Sequence, residues 1–300
     1  MATFRGLMPE TMEPWVSEIF FKRLTRIPPE YTQMLKIKTS DKAFEDVFKV
    51  AGLGSFILKP EGTPISYDDP IEGTRRRFTH STYALGVRFT EEVMDDDQHG
   101  IIRQMPEDLA DSAIDHQETI AWQPFRDAFV TTTFTTLDGA ALCSTAHTEL
   151  KTGATVSNEL NPGVALSHTG LESMLTQLRQ TDNDQGRPIK LTPRWLLIHT
   201  DNEWEAARIL ESTQEPFTTE NQINTMQTSR IGLKQFPARY LTDPDDFFVV
   251  SDEHTVTWWN RKTLDTDQST DSNTKDQLFD ARYRAAVAPI DWPGVNGSSV

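Results

Sequence analysis

The stretch from Met105 to Phe129 constrains the fold most, because few architectures house a single helix of about seven turns. Ala110, Ala113, Ile114, Ile120, Ala121, Phe125 and Ala128 recur near helical spacing, and Asp111, Asp115, Glu118 and Asp127 fall mostly on the other side. Pro106 suits a first helical turn, where its missing N–H costs nothing, and Glu107 and Asp108 would meet the positive end of the helix dipole. Pro124 should kink or end the helix, since it removes a backbone hydrogen bond. The reading is a long structural backbone that carries unequal, extended appendages.

The other 275 of the 300 residues must be placed around it, enough for a large core and two domains. No run of about 18 apolar residues is present, so no membrane span is expected. The first ten residues lack a basic start followed by an apolar core, so no secretory signal is expected. A single cysteine, Cys143, excludes an intrachain disulfide and a cysteine-based metal cluster. Asp and Glu number 45 against 29 Lys and Arg, a formal charge of −16. That balance argues against tight nucleic-acid binding, which needs basic residues at phosphates, and favours solubility through self-repulsion. Copies packed side by side would need local charge complementarity.

Residues 1–48 hold a short amphipathic piece, Trp15 to Leu24, which Pro28 and Pro29 must follow with a break. It reads as an arm packed on something else or as a frayed terminus. In residues 49–90, Ser55 to Lys59 is strand-like and stops at the turn Pro60-Glu61-Gly62. A polar segment and Arg75-Arg76-Arg77 lead to a second strand, in which Tyr83, Leu85, Val87 and Phe89 alternate with Thr82, Ala84, Gly86 and Arg88. Together they make an extended hairpin too poor in apolar residues to fold alone. It packs on the body or reaches a neighbouring subunit. The arginines serve phosphates, a neighbour's carboxylates or a solvated tip, and the acidic composition favours carboxylates over phosphates. Asp95-Asp96-Asp97 reads as a solvated loop rather than a metal site, since successive carboxylates do not share a face.

The loop from Leu137 to His147 is chemically tempting, because Asp138, Cys143, Ser144 and His147 are nucleophile or base types. Its spacing matches no nucleophile elbow or papain-like pattern, so a small packed loop is the simpler expectation. Residues 148–166 are loop-like and mark a subdomain boundary. Beyond it, Ser167 can cap a helix carrying Leu171, Met174, Leu175 and Leu178 on one face. Trp195 to Ile198 suits a buried strand. Thr200 to Glu203 has the form of a capping box, with Trp204, Ala207 and Leu210 following at helical spacing. After the turn at Asp243-Pro244-Asp245, Phe247 to Val250 suits another buried strand. This is a compact α/β subdomain with no Gly-rich phosphate loop and no metal-type His pair. His199 and His254 beside these strands read as structural or exposed. At the end, Phe279, Ala281, Tyr283, Ala285 and Val287 alternate with Asp280, Arg282, Arg284 and Ala286, a half-buried strand.

Four stretches, in this order and spacing, carry a resemblance. They are Asp138–His147, Leu191–His199 with Glu203–Ser212, Tyr240–Phe248 and Phe279–Gly294. From about residue 45 to 297 the chain resembles a tailed-bacteriophage major capsid protein of the Hong Kong 97-type fold. The resemblance implies an α+β fold: an N-terminal arm (1–48), an extended β-hairpin loop (49–90), a peripheral domain with a long spine helix (91–163), an axial α/β domain (164–276) and a return strand of the peripheral domain (277–300). It further implies hexamers and pentamers in an icosahedral shell around double-stranded DNA, located in the virion and assembled in the host cytoplasm. Portal, decoration proteins and a separate scaffolding protein are the expected partners. Some members crosslink a hairpin lysine to a neighbour's asparagine; beyond Lys49 this hairpin has only Lys59 and no marked acceptor, so crosslinking is not expected.

On this reading the chain acts by assembly. No catalytic, cofactor-binding or metal residue is assigned, and Arg75, Arg76 and Arg77 are the expected inter-subunit contacts. The alternatives are an encapsulin-like nanocompartment shell and a Cys-His hydrolase built on residues 138–147.

Overall fold

The computed structural model describes residues 8–26, 28–90, 92–93, 100–214, 223–228 and 231–300; Asp95-Asp96-Asp97 lies outside them. In chain order the elements are α1 (Met8–Arg26), α2 (Tyr31–Met34), β1 (Lys36–Thr39), β2 (Phe44–Ala51), β3 (Ile71–Thr79), β4 (Ser81–Phe89), α3 (Ile101–Ala121) and α4 (Gln123–Arg126). Then come β5 (His147–Thr148), β6 (Thr155–Val156), α5 (His168–Arg179), β7 (Pro193–His199), α6 (Glu203–Glu211), α7 (Thr225–Thr228), β8 (Lys234–Ala238), β9 (Phe247–Ser251), β10 (Val256–Thr270), β11 (Gln277–Pro289) and β12 (Val295–Ser298). They form two units interleaved along the chain. One comprises residues 1–45, 79–121 and 258–287, the other 46–78, 122–257 and 288–300.

The first unit sets helices α1 and α3 against a sheet of order β1-β10-β11-β4. Phe279, Ala281, Tyr283, Ala285 and Val287 of β11 are buried while Asp280 and Arg282 are exposed, the alternation its sequence requires. β11 runs antiparallel to β4, with Phe279 opposite Val87 and Tyr283 opposite Tyr83. Phe279 meets Val16, Phe20, Phe89, Ile102 and Leu109 in one core, and each such large side chain contributes roughly 1.5–3 kcal/mol. The N-terminal segment is therefore a helix packed on α3, pinned by a bidentate Arg23–Asp111 pair at 2.7 Å.

The long helix differs from its expected bounds. It begins at Ile101, after Gly100 at φ 72°, whose carbonyl accepts from the amides of Arg103 and Gln104. Pro106 thus sits inside the helix rather than at its first position, and it brings no backbone N–H to the helical ladder. The helix stops at Ala121, and Pro124 falls in the first turn of the separate α4, where proline is tolerated. Glu118, expected on the polar side, is buried, because its carboxylate accepts the amides of Glu30 and Tyr31 at the start of α2.

The second unit holds a mixed sheet of order β12-β9-β7-β8, in which β7 and β8 are parallel and β9 is antiparallel to both β7 and β12. β9 is buried throughout, so its run of apolar residues needs no polar alternation. Phe247 and Val249 pack with Leu171, Met174, Leu175 and Leu178 of α5, while Phe248 meets Phe125 and Phe129 on the opposite face. Ser167 caps α5 by accepting from the Gly170 amide at 3.1 Å. The capping box at residues 200–203 does not form. Thr200–Asn202 is a 3₁₀ turn, α6 starts at Glu203, and His199 Nδ1 accepts the Asp201 amide instead. The start at Glu203 buries Ala206 and Ile209 and leaves Trp204 exposed.

The hairpin also takes different strands. β2 pairs with β3, so its stem is 44–51 with 71–79, and Arg75, Arg76 and Arg77 lie in the stem. The strand expected at 81–89 belongs to the first unit's sheet, where β11 matches its alternation. Ser55 to Lys59 forms no strand, since a contiguous apolar run has no partner strand to pair with here. The turn at Pro60 forms as expected, with Thr63 donating to the Pro60 carbonyl through both its amide and its hydroxyl.

Candidate assembly surfaces

Two places carry the residues that the sequence singles out, the 138–158 cluster and the hairpin. In the first, His147 is fully buried and stacked on Trp292, with ring centroids 4.8 Å apart. Its Nδ1 lies 2.7 Å from Asp138 Oδ2 and its Nε2 3.0 Å from Asn158 Oδ1. The Asn158 amide is fixed in turn, because its Nδ2 donates to the carbonyls of Leu142 and Val295, both at 2.8 Å. Burial alone would raise the Asp138 carboxyl. Hydrogen bonds from His147, Thr136 and the Ala140 amide overcome that and hold it well below the usual carboxylate range.

Cys143 does not join this chemistry. Burial pushes its thiol up, and the nearby carboxyl groups of Glu159 and Asp246 push it further, the reverse of what a nucleophilic thiolate needs. Its Sγ is wedged where a Cβ on Gly297 would come within 2.8 Å. Both nitrogens of His147 are engaged elsewhere. What the cluster does is tie the 136–148 loop to Asn158 and to the 292–295 segment, as a polar strut. In the sequence Asn158 reads only as a loop residue of 148–166, since a lone Asn carries no pattern that ties it to His147.

The hairpin is the opposite kind of surface. Phe56 is 107% exposed, Ile57 74% and Leu58 90%, and Phe48, Leu53, Ile65 and Tyr67 are exposed around them. Apolar groups held in water like this mark an interaction site. The stem is held by charge. Arg75 and Arg77 both pair with Asp46, and hydrogen bonds from Arg77 and then Arg75 lower that carboxyl to about 2. Arg76 instead donates to the backbone carbonyls of Thr135 and Thr136. The three arginines are thus neighbours in one strand with two different jobs, and Arg75 and Arg77 keep half or more of their side chains exposed. A contiguous apolar run bounded by Gly54 and Pro60 was the signal for this surface, once no partner strand is assumed.

A spine helix packed on a long-stranded sheet, a compact α/β unit and a projecting hairpin define a capsid subunit of the Hong Kong 97 type. Comparison with solved structures agrees. The capsid of a native GTA particle has a similar fold at 12% identity and TM-score 0.58, over 89% of this chain and 88% of that one. A bacteriophage JBD30 procapsid is similar at 13% identity and TM-score 0.53, over 98% and 75%. So is the holo-SrpI encapsulin of Synechococcus elongatus PCC 7942, at 12% identity and TM-score 0.52, over 91% and 88%. No curated protein sequence matches the chain. The model of the phage capsid protein family matches residues 74–295, and the chain belongs to that family. It is a phage capsid protein, with the fold of these capsid subunits.

Proposed function

We propose that the subunit closes its shell by laying the hairpin on a second copy, in hexamers and pentamers within the virion. The observation that carries this is the fully exposed run Phe56-Ile57-Leu58. On a neighbour it would add to obligate interfaces that typically exceed about 2,000 Å² in total. Arg75, Arg76 and Arg77 stand at the same hairpin's stem, where Arg75 and Arg77 can also meet a neighbour's carboxylates in a chain of formal charge −16. Residues 91–163, with the spine helix α3, and the return strand 277–300 act as the peripheral domain, and residues 164–276 as the axial domain. The shell encloses double-stranded DNA without sequence-specific binding, since 45 acidic residues against 29 basic ones leave little to neutralise phosphates. Assembly proceeds in the host cytoplasm with a separate scaffolding protein, portal and decoration proteins. The chain acts by assembly and not by catalysis, a reading supported by the buried Cys143 thiol and the engaged His147 ring.

Replacing residues 53–70 with a short Gly-Ser link tests this. The shortened chain is expected to melt cooperatively and to complete no shells in electron micrographs; shells at normal yield would overturn the reading. The likeness to an encapsulin supports a second reading, a nanocompartment shell. Protein cargo in place of DNA inside purified particles would establish it.

A further inference from the structure

Lys49 sits on β2 with its side chain 7% exposed, at the end of the stem from which residues 52–70 run out. Its ammonium lies 3.0 Å from Asp184 Oδ1, 3.1 Å from Asp291 Oδ2 and 3.2 Å from Asp291 Oδ1. Each carboxylate is itself fixed. Asp184 Oδ1 accepts the Leu150 amide at 3.1 Å, and the Asp184 carbonyl accepts the Lys151 amide at 3.2 Å. Asp291 Oδ1 accepts the Trp292 amide at 3.0 Å, and the Asp291 backbone exchanges two hydrogen bonds with Thr255. Three chain segments distant in sequence thus converge on one ammonium.

The partner strand is shaped to the same point. A Cβ on Gly73 of β3 would lie 3.1 Å from the Lys49 carbonyl, 3.2 Å from Lys49 Cβ and 2.9 Å from Leu150 Cδ2. A side chain at Gly73 would crowd Lys49 and Leu150, so the bare glycine suits the close approach of β3 to Lys49. Further out, Lys151 reaches Asp68 at 3.3 Å and Asp68 accepts the Gly54 amide at 2.6 Å, but this contact is exposed. The cluster at Lys49 is thus the buried one of the two. Burial alone would lower the Lys49 pKa, yet the two carboxylates win and raise it. A charge held between two fixed acceptors in a low-dielectric site is directional in a way that apolar contact is not.

We propose that Lys49 is a positioning residue for assembly: clamped between Asp184 and Asp291, it fixes the angle at which the hairpin leaves its unit, and so the curvature with which copies join. This rests on the hairpin docking on a second copy. Losing the clamp should leave a folded subunit whose hairpin points in many directions.

Lys49→Met alone strands two buried carboxylates, so the main test is Lys49→Met with Asp184→Asn and Asp291→Asn, which removes all three charges. Spin labels at Leu58→Cys and Ser173→Cys in a Cys143→Ala background report the distance from the hairpin to α5 by pulsed electron resonance. The expected result is a melting transition close to the parent's, a broadened distance distribution, and open or irregular assemblies in place of closed shells. Lys49→Arg, which keeps the charge, should retain a narrower distribution and some closed shells. A distribution as narrow as the parent's with normally closed shells from the triple variant would overturn the proposal. Should the triple variant fail to fold, Asp291→Asn alone, which keeps the Lys49–Asp184 pair, must broaden the distribution partway; no change there would overturn it equally. Normal shells from the chain lacking residues 53–70 would instead refute hairpin docking itself, a different outcome.

Discussion

Two phenylalanines separate the role of the core strand from that of the projecting hairpin. Phe279 on β11 is 1% exposed, and its ring meets that of Phe20 edge-to-face with centroids 5.9 Å apart. Truncating it to alanine removes the buried ring and leaves a cavity among Val16, Phe89, Ile102 and Leu109, at a cost of about 3–5 kcal/mol. That is a large share of a typical stability of about 5–15 kcal/mol. Phe56 has nothing to lose within its own subunit, so Phe56→Ser should change stability by less than about 0.5 kcal/mol. If Phe56 docks on a neighbour, the same change forfeits about 1.5–3 kcal/mol at every contact in the shell. Urea unfolding of the isolated subunit and light scattering of assembly reactions read the two effects separately. Phe279→Ala should shift the unfolding midpoint strongly, and Phe56→Ser should leave it in place while suppressing assembly. A Phe56→Ser subunit that loses stability, or assembles like the parent, would refute the assignment of projecting arm and core strand.

Cys143→Ser buries a hydroxyl beside Gly297 and should cost about 1–3 kcal/mol in chemical denaturation while particles still form; complete loss of particles from a still-folded subunit would contradict a purely packed role. Reversing Arg75, Arg76 and Arg77 to Glu places like charges around Asp46. Pairs as exposed as these are screened by water and contribute little, so the subunit should still fold while particle yield falls, with part of the loss masked by salt that screens over about 10 Å at 0.1 M. Burial raises Asp246 from 3.8 to about 6, against an opposing hydrogen bond from Ser299, and its Oδ1 has no hydrogen-bond partner among the described residues. The folded state therefore holds the Asp246 proton where the unfolded state has released it. Stability should fall as pH rises from about 3.8 to about 6, by roughly 3 kcal/mol, and the penalty stands in full above that window. Asp246→Asn should raise the melting temperature at pH 8 and flatten that part of the profile; an unchanged profile would count against the burial argument.

Periodic elements were the legible part of this fold. β11 alternates strictly because one face meets a core and the other meets water, and α5 shows its buried face as Leu171, Met174, Leu175 and Leu178. Boundaries set by tertiary partners were not legible. Nothing in residues 101–104 announces a helix that starts from a glycine and runs through Pro106, and Glu118 looks solvated until the amides of Glu30 and Tyr31 reach it. The pairing of β2 with β3, in place of Ser55–Lys59 with the strand at 82–89, was hidden, because the period of two fits several strands equally. At the candidate surfaces, the arginine triplet was visible as charge, but its division between Asp46 and two backbone carbonyls depends on strand facing. Lys49, Asp184 and Asp291 are 107 or more positions apart in sequence, so only the folded chain brings them together.

Tiling of a closed shell by this chain through its hairpin can be read from electron cryomicroscopy of particles purified from cells producing it. The expected map is a closed icosahedral shell whose repeating unit is this 34.1 kDa chain, with residues 53–58 resting on a neighbouring copy. A shell lattice that lacks the chain, or one in which Phe56, Ile57 and Leu58 touch no second copy, would contradict it.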